Sequence, residues 1–194
     1  MTDTPAPSAL AKALPTKDRL IRAAGRLFRT HGYHGVGLND ILAAADAPKG
    51  SLYHHFPNGK SDLALAAATL TSDEILRAIA ASFAGAADFH SGVTHFCHKA
   101  AKAFDLSEHW DGCPIAATLF ADPHNTAFLD HANRCYAGWI AEVEEGALRV
   151  GMPPDVARRK AEHVFMLIEG AWHLARARRD SQVLRDLPDM LAEI

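Results

Sequence analysis

From Ser61 onward the sequence shows no sustained alternation of apolar and polar residues. A half-buried strand requires that period of two, so sheets are excluded from most of the chain. Helical spacing recurs instead. Phe128, Ala132, Cys135, Trp139 and Val143 form one stripe, and Ala161, Val164, Phe165, Ile168, Trp172 and Ala175 form another. Gly85, Gly92, Gly112, Pro114, Pro123, Gly151 and Pro153-Pro154 punctuate the pattern. The spacing predicts helices over 60–84, 91–105, 114–121, 124–150, 154–179 and 181–192. The fold class is all-α. Nearly half of the 194 residues are apolar (48%), ample for a core and too many for a disordered chain.

The first third is also helical, in shorter pieces. Residues 1–15 hold three prolines and little that packs, and read as a flexible arm. Thr16 is expected to cap a helix carrying Leu20, Ile21, Ala24, Leu27 and Phe28, which stops near His31-Gly32. A second helix carries Leu38, Ile41, Leu42 and Ala45 and stops at Asp46-Ala47-Pro48. Two short helices joined by so short a turn make a helix-turn-helix, and the helix at 16–31 completes a small bundle. Gly32, Gly35 and Gly37 do not form a dinucleotide loop, because the spacing is wrong and a helix precedes them where a strand is needed. Gly59-Lys60-Ser61 is not a phosphate-binding P-loop either, since His54 stands where its first glycine should be. Asn58 or Gly59 is expected to cap the next helix, with Lys60 pointing outward in its first turn.

The third short helix, after Pro48, carries the chemistry. Leu52 and Phe56 lie one turn apart and can bury together, while Lys49, Ser51, Tyr53, His54 and His55 fan out over the rest. A cationic, hydroxylated and aromatic face suits phosphate oxygens and base edges. Charge is distributed accordingly. Residues 1–60 carry eight Lys and Arg against four Asp, a net of +4, and the remainder carries −7. A basic head on an acidic body points to a polyanion at the N-terminal end.

These residues carry a family resemblance. The run Leu27-Phe28, Gly32-Tyr33, Ile41, Ala44-Ala45, Lys49-Gly50-Ser51-Leu52-Tyr53-His54-His55-Phe56, Lys60 and Leu63 resembles the DNA-binding domain of TetR-family transcriptional regulators. Pro57-Asn58-Gly59-Lys60, Gly112-Cys113-Pro114 and Glu169-Gly170 are similar to the LmrA/YxaF-like branch. The resemblance implies a homodimeric helical repressor whose helix at 48–55 enters the major groove. Lys49, Gly50, Ser51, Tyr53, His54 and His55 would face DNA, and Lys60 would hold a phosphate. Two departures stand out. Many members have Thr or Ser where this chain has Gly37, so Asn39 is expected to take over part of that phosphate contact. Asp46 stands where glycine is usual, at a small conformational cost.

The body is read as the ligand side. Helix bundles place cavities among aromatic side chains with a few polar groups for orientation. Phe104, Trp110, Cys113, Phe120, Trp139, Phe165 and Trp172 are the candidate lining, with Glu169 and His173, four apart, placed to orient a hydroxyl or an amine. Each also has an ordinary reading as core or dimer seam. Cys113 could be a redox switch or a small buried hydrophobe. His95 and His98 flank Cys97, but two ligands do not define a metal site. Adjacent His54 and His55 cannot easily share an ion. No metal or cofactor is expected, and no catalytic signature marks an enzyme.

No apolar run approaches the roughly 20 residues of a membrane helix. No signal-peptide layout opens the chain, and three cysteines are too few for a disulfide framework, so the expected location is the cytoplasm. The expected organisation is an arm at 1–15, a helix-turn-helix domain at 16–60 and a ligand-binding and dimerisation domain at 61–194. The expected function is a repressor that binds a pseudo-palindromic double-stranded operator as a homodimer and is released by a small apolar or aromatic inducer. The helix at 60–84 would be its lever. The alternative is a ligand- or thiol-redox-responsive binding protein with a non-functional helix-turn-helix.

Overall fold

The computed structural model describes residues 14–107, 112–113 and 115–192. Among them the regular structure is entirely helical: α1 (Thr16–His31), α2 (Leu38–Ala45), α3 (Lys49–His55), α4 (Lys60–Phe83), α5 (Phe89–Asp105), α6 (Ala116–Leu119), α7 (Thr126–Arg149), α8 (Pro154–Arg178) and α9 (Gln182–Ala192). No helix of the described residues is long and apolar enough to cross a membrane. Most of the arm expected at 1–15 lies outside the described residues, as does Trp110.

The chain divides into two compact units: residues up to Thr71 with 114–131, and residues 72–113 with 132–194. The division falls within α4 and within α7.

In the first unit, Leu20, Ala24 and Phe28 of α1 meet Ile41 of α2 and Leu52 of α3, all with no solvent exposure. The helix at 16–31 has the expected extent, but Thr16 does not cap it. Pro15 already has the extended backbone that the cap position needs (φ −52°, ψ 147°), and its carbonyl accepts Arg19 N–H at 3.1 Å. The Thr16 hydroxyl therefore falls one residue inside the helix. Between α2 and α3, Asp46 adopts the left-handed conformation (φ 49°, ψ 51°). Its N–H donates to Ala43 O and that of Ala47 to Leu42 O, the paired bonds of a Schellman stop. Arg19 pins this turn to α1 by donating to Asp46 O at 3.0 Å. At the start of α4 the Gly59 carbonyl accepts Leu63 N–H, and the Asp62 carboxylate accepts Asn58 N–H at 2.8 Å.

The same unit takes in residues well beyond α4. Ile115, Leu119 and Phe128 are fully buried. The Tyr33 ring packs on Phe28 at 5.5 Å and edge-on against Phe128 at 5.3 Å. His34 Nε2 lies 3.0 Å from Ala121 O.

In the second unit, α9 packs on α5 and α8, and Arg185 joins Asp105 at 2.7 Å. The stripe expected on α7 is buried throughout: Ala132, Cys135, Trp139 and Val143 are at most 6% exposed. The Trp139 indole N–H donates to Ser72 Oγ at 3.0 Å, which satisfies the one polar group of a fully buried ring. Helix α5 starts two residues earlier than the spacing predicts, because Asp88 caps it by accepting Ser91 N–H at 2.8 Å. That bond, the largest influence on Asp88, holds its carboxyl below the usual range. Phe83 is 4% exposed and sits between Gly92 of α5 and Gly146 of α7. A methyl on either glycine would overlap the ring.

Helix α8 ends on a second left-handed residue, Arg179 (φ 55°, ψ 41°), with Asp180 N–H donating to Ala175 O. Glycine has no Cβ penalty there. Arg179→Gly is expected to raise stability by about 0.5–1 kcal/mol, the left-handed cost less the extra chain entropy of glycine. Thermal unfolding should show a midpoint about 2 °C higher; a lower midpoint would contradict the strain at this cap.

Candidate nucleic-acid interface

Burial fixes how α3 is rolled. Leu52 (0% exposed) and Phe56 (3%) anchor its inner face, as their one-turn spacing predicts. Lys49, Gly50, Tyr53, His54 and His55 are exposed and Ser51 is half-buried. Tyr53 is 46% exposed, unusual for a large ring that has an apolar core within reach. The His54 and His55 rings meet edge to face, 4.8 Å apart. Nothing crowds the position where Gly50 would carry a side chain, so the backbone is open to close approach.

Helix α2 supplies the other wall. A groove of about 360 Å³ brings Gly37 and Asn39 together with Lys49 and Tyr53. Asp40 also lines it, but its carboxylate is occupied, accepting Gly37 N–H at 2.8 Å. That bond closes the start of α2 without a side-chain hydroxyl. A Cβ on Gly37 would stand 3.1 Å from Asp40 Oδ2, so a hydroxylated residue there would need the carboxylate to give by a few tenths of an ångström.

Lys60 is half-buried, not directed outward. Its ammonium lies 4.4 Å from the centre of the Tyr33 ring. Burial pushes Lys60 below the usual lysine range. Burial, and secondarily Asp122, pushes Tyr33 up. The tyrosine face thus holds the lysine in one place by a cation–π contact. The role of Tyr33 as that platform was not visible in the sequence, because 27 residues separate the pair.

The candidates in the body are distributed unevenly. Phe104 (0% exposed), Trp139 (1%) and Phe165 (5%) are core. Trp139 stacks on Phe165 at 5.6 Å, and Trp172 meets Phe104 edge-on at 5.3 Å. Phe120 belongs to the first unit and is 48% exposed. His173 is exposed, and its Nδ1 lies 2.8 Å from the backbone carbonyl of Glu169. Cys113 is 7% exposed and donates its S–H to Glu169 Oε1 at 3.2 Å. Tyr136 completes that cluster, with its hydroxyl 3.9 Å from Cys113 Sγ and near enough to Glu169 to feel its carboxylate. Burial first, then both neighbours, pushes the Tyr136 phenol far above the ordinary tyrosine value, so it stays a donor. Tyr136 was absent from the sequence-based ligand set. Residues 113, 136 and 169 share no helix and no spacing, so no local signal links them. His95 Nδ1 lies 3.3 Å from Ser82 O, and no group of three or more metal-ligating side chains occurs among the described residues.

Comparison with known proteins matches the two ends of the chain to two family models. Residues 20–67 match "Bacterial regulatory proteins, tetR family", and residues 90–190 match "Transcriptional regulator LmrA/YxaF-like, C-terminal domain". The HTH-type transcriptional regulator LmrA of Bacillus subtilis (strain 168) is 30% identical over 185 residues, covering 91% of this chain and 96% of the relative. The uncharacterized HTH-type regulator YxaF of the same organism is also 30% identical, covering 87% and 89%. Among solved structures, a TetR transcriptional regulator from Legionella pneumophila superposes with a TM-score of 0.80 at 20% identity over 93% of this chain and 97% of that one. The regulator CifR, solved as a cysteine mutant complexed with 26-bp double-strand operator DNA, superposes with a TM-score of 0.77 at 21% identity over 92% and 96%.

Proposed function

Because the chain belongs to the TetR family of transcriptional regulators, in its LmrA/YxaF-like branch, we propose that it is a repressor that binds a pseudo-palindromic operator as a homodimer and is released by a small, mostly apolar or aromatic inducer. The observation that carries the reading is the roll of α3. Its apolar side is spent on the core, and a cationic, hydroxylated and aromatic side remains exposed. In the proposed complex α3 lies in the major groove. Lys49, Tyr53, His54 and His55 reach phosphates and base edges, Gly37 and Asn39 approach the adjacent backbone, and Lys60 holds a phosphate from its seat on Tyr33.

A second copy is the proposed partner of α8. Met166 (63% exposed), Gly170 and Leu174 (47%) fall at four-residue intervals along it. Nothing lies within 4 Å of the position a Gly170 side chain would take. Apolar side chains beside an open glycine let another helix approach closely. Two-fold pairing presents two recognition helices, which must sit about 34–36 Å apart to meet successive major grooves. An inducer that prefers another spacing lowers operator affinity by its differential affinity for that dimer.

The thiol-redox alternative gains no support from the cysteines. All three are buried, burial pushes Cys97 up to about 12, and Cys113 has spent its S–H on Glu169.

Selection from random duplex DNA with the purified chain is expected to enrich an inverted repeat bound by two copies. Affinity should drop on the order of a thousandfold between 50 and 200 mM salt if about six phosphates are contacted. Recovery of no repeat above the non-specific background would remove the repressor reading.

A further inference from the structure

We propose that Glu169 is the receptor for a cationic group, and that the effector of this regulator is an aromatic amine bound as its ammonium ion. The proposal rests on the inducer-responsive reading above and assigns the chemical class of the inducer.

Glu169 lies on α8 and is half-buried. One donor among the described residues reaches its carboxylate at hydrogen-bond distance, the Cys113 thiol at 3.2 Å. An ionised carboxylate offers about four lone-pair sites, so one thiol leaves most of that capacity free. Among the described residues no Lys, Arg or His side chain pairs with it. Other acids of the same unit do have cations: Glu144 and Glu162 share Arg158, and Asp105 holds Arg185. The histidine one turn on does not meet the carboxylate either. His173 Nδ1 is committed to the Glu169 backbone carbonyl. A carboxylate with no counter-charge of its own can pair with the cation that a ligand brings.

The surroundings fit the rest of such a ligand. Phe165 and Trp172 flank Glu169 on α8 at four residues before and three after, which places all three along one side of the helix. Tyr136 and Trp172 are half-buried, so their rings, and not the core pair Trp139 and Phe165, are the ones a ligand can meet. Aromatic faces carry a negative quadrupole and attract cations, as the carboxylate does. A neutral aromatic would gain the ring contacts alone, and an anion would be repelled. The Cys113 thiol is a neutral donor and brings no counter-charge to Glu169.

The test uses three probes of matched shape on the full-length protein at pH 7: 2-naphthylmethylamine, 2-naphthylmethanol and 2-naphthoate, titrated by calorimetry. The amine should bind about tenfold or more tighter than the alcohol, with the carboxylate weakest. Glu169→Gln should abolish the advantage of the amine over the alcohol. Tyr136→Phe, which retains the carboxylate, should keep the preference for the amine. Equal binding of the three probes, binding of none, or a preference that survives Glu169→Gln would overturn the proposal. Operator release is measured on the same samples by fluorescence anisotropy. Charge-selective binding without operator release would refute the inducer role and leave the cation site standing. Release by the alcohol and carboxylate alone would do the reverse.

Discussion

Alanine at Lys49 and Tyr53 together is expected to lower operator affinity about a hundredfold and to leave the fold intact. Both side chains stand exposed on α3, one turn apart on the same face. A lysine–phosphate contact and a tyrosine contact to sugar, phosphate or a thymine methyl contribute about 1–2 kcal/mol each, and the sum corresponds to roughly two decades. Loss of the lysine should also reduce the slope of log affinity against log salt by about one. Neither residue is in the core, so the unfolding free energy should move by no more than about 0.5 kcal/mol. Helicity by circular dichroism and the melting midpoint control for folding. Affinity within threefold of the parent protein would mean that α3 is not the reading helix.

The second large effect concerns stability. Phe83 is clamped between Gly92 and Gly146, and a methyl on either would enter its ring. A side chain crowded from one side can swing to the other; one crowded from both cannot. Each single alanine should cost about 1–3 kcal/mol in overpacking, offset by about 1 kcal/mol of helix propensity. The double variant Gly92→Ala/Gly146→Ala should lose more than the sum of the singles and melt at least 10 °C lower. Phe83→Ala supplies the diagnostic comparison. Alone it should cost about 3–5 kcal/mol through the cavity it leaves. In the double variant the two methyls occupy part of that space, so the same change should recover stability. The resulting coupling energy should reach about 2 kcal/mol in denaturant unfolding. Additive effects would show that the ring is not held between the two helices.

The legibility of this chain follows the distance between cooperating residues. The buried stripe of α7 was readable because helical repetition and burial have the same period. Helix α3 was readable because five outward residues and two inward ones lie within eight positions. The capping of α1 was misread by one residue, because Pro15 and Thr16 are both good at a helix start and only backbone geometry chooses between them. The perch of Lys60 on Tyr33 and the meeting of Cys113, Tyr136 and Glu169 were not readable at all. They join residues from separate elements, and nothing in the local pattern of either partner announces the other. Gly92 reads as helix punctuation in the sequence, and Gly146 gives no signal there. Their use, to admit a ring from a third helix, is a property of packing alone.

The burial of Ile115, Leu119 and Phe128 in the same unit as α1 to α3 has a consequence for biosynthesis. The helix-turn-helix leaves the ribosome first, but the residues that cover Phe28 and Tyr33 are still being made. At about 5–20 residues per second, some 60 further residues take several seconds to appear. During that interval the nascent segment displays an unfinished apolar face. The part of the protein that reads DNA is therefore completed only after more than half of the chain has been translated, and a regulator released early by premature termination would lack a finished reading head.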